Sequence, residues 1–214
     1  MSPSEIFETH VLTAAPSENL VTADAVGRHD ADPAVVAAAI ERVSRFVEEY
    51  TSRRFALARY QFKANLSTAF REGFLVNGRA DSLQLPQFPL VSVSAVREEN
   101  RFGVDALLAA TVDYGIDLAK GIITRLGADK SPVDFWPPRA LTVIAWAGYL
   151  LPDHDGETHP DATPLPVDLA AAVAQTVGLW VDRFPQGYTP VKDQPEPTPD
   201  VTSAAIAIFD KYRV

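Results

Sequence analysis

The stretch from Pro33 to Phe55, PAVVAAAIERVSRFVEEYTSRRF, constrains the fold more than any other part of the chain. Val36, Ile40, Val43, Val47 and Tyr50 recur at alternating spacings of 4 and 3, which puts them on one helix face. Asp32 suits the N-cap and Pro33 the first helical position. Glu41 with Arg45, and Arg45 with Glu49, are four apart on the wet side. Val35, Ala39 and Phe46 widen the apolar stripe beyond a two-helix seam, so the spacing predicts a helix covered on more than one side.

The covering material is available. Of the 214 residues, 47% are hydrophobic and 22% charged, which fits a packed core. No apolar run approaches the ~18 residues of a membrane span. The first twenty residues lack a basic start and an apolar centre, so no signal peptide is expected. The chain has no cysteine, which excludes disulfides, thiolate metal sites and cysteine nucleophiles. A net charge of −9 is the wrong sign for a general nucleic-acid binder.

Residues 1 to about 20 read as an arm or lead-in, with a short helix at Thr22 to His29 capped by Thr22. Beyond Phe55 the period changes from helical to alternating. Tyr60, Phe62, Ala64 and Leu66 alternate with polar residues, the half-buried strand pattern. Further strands are expected at Gly73 to Val76, before an Asn77-Gly78 turn, and at Leu83 to Leu85. The segments around Val91 to Ala95 and Val112 to Leu118 follow the same pattern, and Lys120-Gly121 turns the chain into Ile122 to Leu126. Ala140 to Ala147 reads as a buried strand. After a Pro-rich acidic loop at 152–166, a second helix is expected from Val167 to Phe184. Leu169, Val173, Val177, Trp180 and Phe184 share its face, and Pro185 ends it. Prolines through 185–199 make an extended linker. Residues 201–214 read as an apolar helical segment, with Thr198 a candidate N-cap and Pro199 at its first position. Such a segment either folds back on its own domain or is delivered to a partner.

No catalytic signature is present. The chain contains no G-x-S-x-G elbow, Walker A loop or G-x-G-x-x-G turn. His154 and His159 lie among Asp153, Asp155, Glu157 and Asp161, residue types that bind divalent metals. A Pro/Gly loop does not pre-organise ligands, so a solvated acidic loop is the simpler reading. Arg42, Arg45, Arg53 and Arg54 put a basic stripe on the first helix. They could meet phosphate, or pair with acidic groups of a neighbouring subunit; the negative total favours the second. Trp136, Trp146 and Trp180, with Tyr114 and Tyr149, read as core or subunit-contact residues.

The order of these pieces resembles a known family. The pieces are LVTADAVGRH at 20–29, VEEYTSRRF at 47–55, LQLPQFPLVSVSAV at 83–96 and VDYGIDLAKGIITRL at 112–126. LTVIAWAGY at 141–149, LPVDLAAAVAQTVGLWVDR at 165–183 and IFDKYRV at 208–214 complete the set. Together they are similar to the head–tail adaptor (head-completion or connector) proteins of long-tailed double-stranded DNA phages. The long N-terminal arm and the stretched 186–200 linker depart from the pattern.

The resemblance implies an α+β fold: mainly a helical bundle with an inserted small antiparallel β subdomain and a C-terminal tail. It divides the chain into an arm at 1–19, an adaptor domain at 20–184, a Pro-rich linker at 185–200 and a docking segment at 201–214. Helices 33–55 and 167–184 and a β-rich insertion at 59–147 would make up the adaptor domain. The resemblance also implies a non-enzymatic virion protein, assembled in the host cytoplasm, that needs no cofactor. It would form a homo-oligomeric ring, usually twelvefold, beneath the portal at the capsid vertex, and would receive a neck, stopper or tail-terminator protein. Double-stranded DNA would pass through its lumen without sequence-specific binding, and no membrane is involved. Portal binding would fall to Ile206, Phe209, Tyr212 and Arg213, and subunit contacts to Arg42, Arg45, Arg53, Arg54 and Trp180. The alternatives are a tail-completion or stopper protein, or a metal-dependent enzyme using His154 and His159.

Overall fold

A computed structural model describes residues 7–66, 82–99, 105–132, 140–154, 159–190 and 195–213. The strand expected at Gly73 to Val76, the Asn77-Gly78 turn, Trp136, Asp155 and Glu157 lie outside the described residues. The chain divides into two compact units: Met1–Ala14 with Leu57–Gly148, and Ala15–Ala56 with Tyr149–Val214.

The first unit is built of strands. They are β1 (Phe7–Thr13), β2 (Ala58–Asn65), β3 (Ser82–Gln84), β4 (Leu90–Glu99), β5 (Asp105–Leu107), β6 (Tyr114–Asp117), β7 (Ile122–Arg125) and β8 (Ala140–Ala147). One sheet has the order β1-β2-β8-β4-β5 and the other β3-β7-β6, with antiparallel neighbours throughout. The alternation that marked β2 holds: Tyr60, Phe62 and Ala64 are buried, and Lys63 is exposed. In the central strand β8, Leu141, Val143, Ala145 and Ala147 are buried while Thr142, Ile144 and Trp146 are half-buried. One face of β8 is therefore less buried than its apolar sequence implied. Phe62 anchors the core, stacked on Tyr60 at 5.6 Å and meeting Phe7 edge-on at 6.4 Å between ring centroids. Residues 7–13, within the stretch read as an arm, form β1 along β2. β6 and β7 make the hairpin expected across Lys120-Gly121. Gly121 has φ +64°, and a Cβ there would sit 2.9 Å from the Phe88 Cβ, so the turn requires glycine.

The second unit is helical. It contains α1 (Ala23–Val26), α2 (Pro33–Thr51), α3 (Val167–Arg183) and α4 (Ser203–Lys211). Thr22 caps α1 as expected, its hydroxyl accepting from the Ala25 N–H at 3.3 Å. Asp32 caps α2 through the Ala34 N–H at 2.8 Å. The face predicted for α2 is the buried one, with Val36, Ile40, Val43 and Val47 in the core beside Leu169, Val173, Val177 and Trp180 of α3. α2 stops at Thr51 rather than Phe55 because Ser52 turns left-handed (φ 55°) and Glu48 takes over the bonding. The Glu48 carbonyl accepts from the Arg53 N–H at 3.0 Å, and its carboxylate accepts from the Phe55 N–H at 2.9 Å. α4 begins at Ser203 with Thr202 as its cap, later than the Thr198 and Pro199 start expected. No helix among the described residues is long and apolar enough to cross a membrane.

The expectation of a mainly helical bundle with a small β insertion is overturned. Among the described residues four helices stand against eight strands in two antiparallel sheets. Two of the helices are short, of 4 and 9 residues, and the strands have a core of their own. The sequence signal over-weighted helix because α2 and α3 are long and strongly periodic. β1 and β5 are edge strands that bury little, so they carry no alternation to read.

Candidate functional site

The C-terminal segment is where sequence and resemblance together placed a docking function. Its structure is a helix seated on its own unit. Ala205 and Phe209, four apart on α4, are almost wholly buried in the helical core. The Phe209 ring meets Tyr50 edge-on at 6.2 Å. The Tyr212 ring meets Phe55 edge-on at 6.3 Å. Polar ties surround this apolar contact. The Tyr212 hydroxyl donates to Asp168 at 2.7 Å, and the Tyr50 hydroxyl donates to Asp210 at 2.9 Å. The Lys211 ammonium lies 3.5 Å from Asp168, and the Thr202 hydroxyl donates to Gln175 at 3.3 Å. The Arg213 guanidinium lies 5.7 Å over the Tyr50 ring.

These contacts set the protonation states. Burial, together with the Asp168 carboxylate, pushes the Tyr212 phenol above its ordinary range. The same hydrogen bond holds the Asp168 carboxyl below its usual range, aided by the Leu169 N–H and Lys211. Tyr50 is raised chiefly by its bond to Asp210. Each phenol thus donates a hydrogen bond to a carboxylate, which favours the neutral tyrosine, and at Asp168 the same bond favours the ionised carboxylate.

Of the four residues proposed as portal anchors, Ile206 and Arg213 are exposed, Tyr212 is half-buried and Phe209 is enclosed. The segment before the helix is held as well. Arg42 pairs with Glu196 at 2.8 Å and donates to the Pro197 carbonyl at 3.0 Å. Its guanidinium stacks over Trp180 at 4.6 Å and over Tyr188 at 5.2 Å. Arg183 pairs with Asp200 at 3.1 Å. A groove of about 390 Å³ remains along the outer side of α2, lined by Ala38, Arg42, Arg45, Phe46, Glu196 and Pro199 among others.

The four arginines do not form one basic stripe. Arg42 reaches toward the 195–200 segment, and Arg45 pairs with Glu41 at 2.9 Å. Arg54 pairs with Glu18 and Glu48. Arg53 is buried against the Phe55 and Tyr149 rings, and that burial lowers its affinity for the proton. Trp180 is buried beside Phe184. The His154 ring lies 3.1 Å from the Ser17 carbonyl, and no cluster of three metal-type ligands occurs among the described residues. Sequence reasoning missed Asp168, Gln175 and Tyr50 as partners of α4. The available signal was Asp168 in the first turn of α3, a place where a carboxylate is at ease.

No family model matches the chain, and no curated protein does. Solved structures do. A chain in the virion of the native gene transfer agent (GTA) particle is 19% identical, with a TM-score of 0.55 over 96% of this chain and 94% of that one. A chain in the neck of the empty GTA particle, computed with C6 symmetry, is 18% identical, with a TM-score of 0.55 over 96% and 95%. A chain in the neck of the native GTA particle, computed with C12 symmetry, is 20% identical, with a TM-score of 0.52 over 96% and 94%. At these identities the likeness is one of fold, and it runs nearly end to end.

Proposed function

We propose that this chain is a structural protein of a phage-like virion neck, acting as a head–tail adaptor. In this reading copies form a homo-oligomeric ring beneath the portal, extend the DNA channel and offer a surface to the next neck or tail protein. The observation that carries the proposal is the fold likeness to GTA virion and neck chains over 96% of the chain. A matched fragment could be a shared module, whereas a match of this extent covers both units. The order of sequence pieces points the same way, and the net charge of −9 suits a ring through which DNA slides. No bond-making is assigned to it.

The portal-facing element in this proposal is α4. Ile206 and Arg213 present the outer contact, while Phe209 and Tyr212 hold the helix in place from beneath. The test is reconstruction of the assembled particle, combined with portal binding by a chain carrying Ile206→Asp and Arg213→Glu. The expected result is density for this chain in a ring against the portal, and at least tenfold weaker capture of the variant by purified portal rings. Density one layer further from the capsid would make it a stopper protein. Absence from the neck would overturn the proposal.

A further inference from the structure

We infer that the two edges of the five-stranded sheet are complementary halves of a contact between copies, β1 of one copy lying against β5 of the next. This deepens the ring reading and rests on it for closure. Among the described residues β1 and β5 are the outermost strands of the order β1-β2-β8-β4-β5, so each offers one side of its backbone to no other described strand in that sheet. Free edges are usually blunted by lysine, proline, shortness or a bulge. β5 is short, at 3 residues, but β1 runs for 7 and contains neither lysine nor proline. Its pairing with β2 is regular from Phe7 to Val11 and shifts only between Val11 and Thr13.

Exposed apolar side chains occur on both edges, though Val112, Leu118, Val167 and Ile206 are exposed elsewhere. Val11 (55% exposed) and Leu12 (47%) lie on β1, and Leu107 (64%) lies on β5. An exposed apolar residue by itself is ordinary; exposed apolar residues on both edges of one sheet are what call for a partner. A foreign partner would account for one edge. Two edges on opposite sides of one sheet are satisfied together by a second copy placed head to tail, and such a contact closes into a ring when the rotation per copy allows it. Backbone pairing would supply the register, and Val11 and Leu12 against Leu107 would supply the dry centre.

The chain has no native cysteine, so introduced thiols report only the chosen contact. Three full-length variants are compared under mild oxidation in rings assembled from purified protein: Leu12→Cys, Leu107→Cys and the double variant. Each single variant alone should stay unlinked, an equimolar mixture of the two should give a linked dimer, and the double variant should give a ladder of multimers. Far-ultraviolet circular dichroism and melting temperature check that the exposed substitutions leave the fold intact. Linked dimers from either single variant would mean a two-fold contact and overturn the inference. So would rings that form normally while the mixture stays unlinked, although the neck reading would then survive. If the chain forms no ring in solution or in the particle, the adaptor reading and this inference fail together.

Discussion

Phe209→Ala separates a C-terminal helix that belongs to the core from one that merely rests on it. The ring is fully buried, and truncating a buried phenylalanine costs about 3–5 kcal/mol through lost transfer energy and the cavity left behind. α4 has only 9 residues, too few to hold a helix in water without tertiary contacts. What else seats it is modest contact by contact: a buried Ala205, the Tyr212 ring on Phe55, the exposed Lys211–Asp168 pair, and hydrogen bonds from Tyr212, Tyr50 and Thr202 whose usual net value is about 0.5–1.5 kcal/mol each. The loss is therefore comparable to the whole docking energy, and the variant should undock α4 rather than unfold the unit. At about 1.4 kcal/mol per decade, hydrogen exchange at residues 205–211 should speed up about 10²–10³-fold. Amides around Val43 in α2 and Val177 in α3 should change far less. Mass spectrometry of exchange, fragment by fragment, reads this directly. Unchanged exchange in α4, or equal acceleration across α2 and α3, would refute the reasoning.

Three further outcomes follow from the geometry. Asp168, held below its ordinary pKa of about 3.9, stabilises the docked helix above that pH and loses this contribution as pH falls through the depressed value. Asp168→Asn should remove this acid-side dependence, measured by exchange at residues 205–211 between pH 2 and 6, and a persisting dependence would assign it elsewhere. Tyr212, held above the ordinary tyrosine value of about 10, should cost stability as pH rises past that point, because the unfolded chain ionises first; alkaline difference spectroscopy of Tyr212→Phe against the parent checks it. Gly121→Ala places a side chain at φ +64° and 2.9 Å from the Phe88 Cβ, and should cost about 1–3 kcal/mol. The reading is a lower urea midpoint at unchanged slope, and an unshifted midpoint would show that the turn relaxes freely.

How much of this was legible in the residues depends on burial. α2 and α3 were readable because each buries a continuous face: Val36, Ile40, Val43 and Val47 on one, Leu169, Val173 and Val177 on the other. β2, β6 and β7 were readable because their alternation or turn chemistry is imposed by a core on one side. β1 was not, because only Phe7 of its 7 residues is buried, and its strand identity comes from hydrogen bonds to residues 59–64. The start of α4 was misplaced because Pro199 and Thr202 both carry start signals. Thr202 wins because its hydroxyl reaches the Ala205 N–H at 3.2 Å. The partners of α4 were illegible for another reason. Tyr212 and Asp168 are 44 residues apart, and no local pattern announces a bond across that distance.

The arginines show that an overall charge does not say which carboxylates a cation meets first. A total of −9 suggested that Arg42, Arg45, Arg53 and Arg54 would seek carboxylates on a neighbour. An acidic chain also has carboxylates to spare within itself, and those are nearer. Arg42 takes Glu196, Arg45 takes Glu41, and Arg54 takes Glu18 and Glu48. Pairing leaves the net charge unchanged but ties up these cations, so α2 offers phosphate little that is both positive and free. A ring built from such units would present DNA with an excess of unpaired carboxylate, and long-range repulsion needs nothing more specific than that. The arginines then serve the interior of the unit: Arg42 ties residues 196–197 to Trp180, so the segment leading into α4 is anchored before the helix begins. If α4 is the docking element proposed above, it starts from a fixed position, and the entropy of ordering it is lost during folding rather than at the moment of binding.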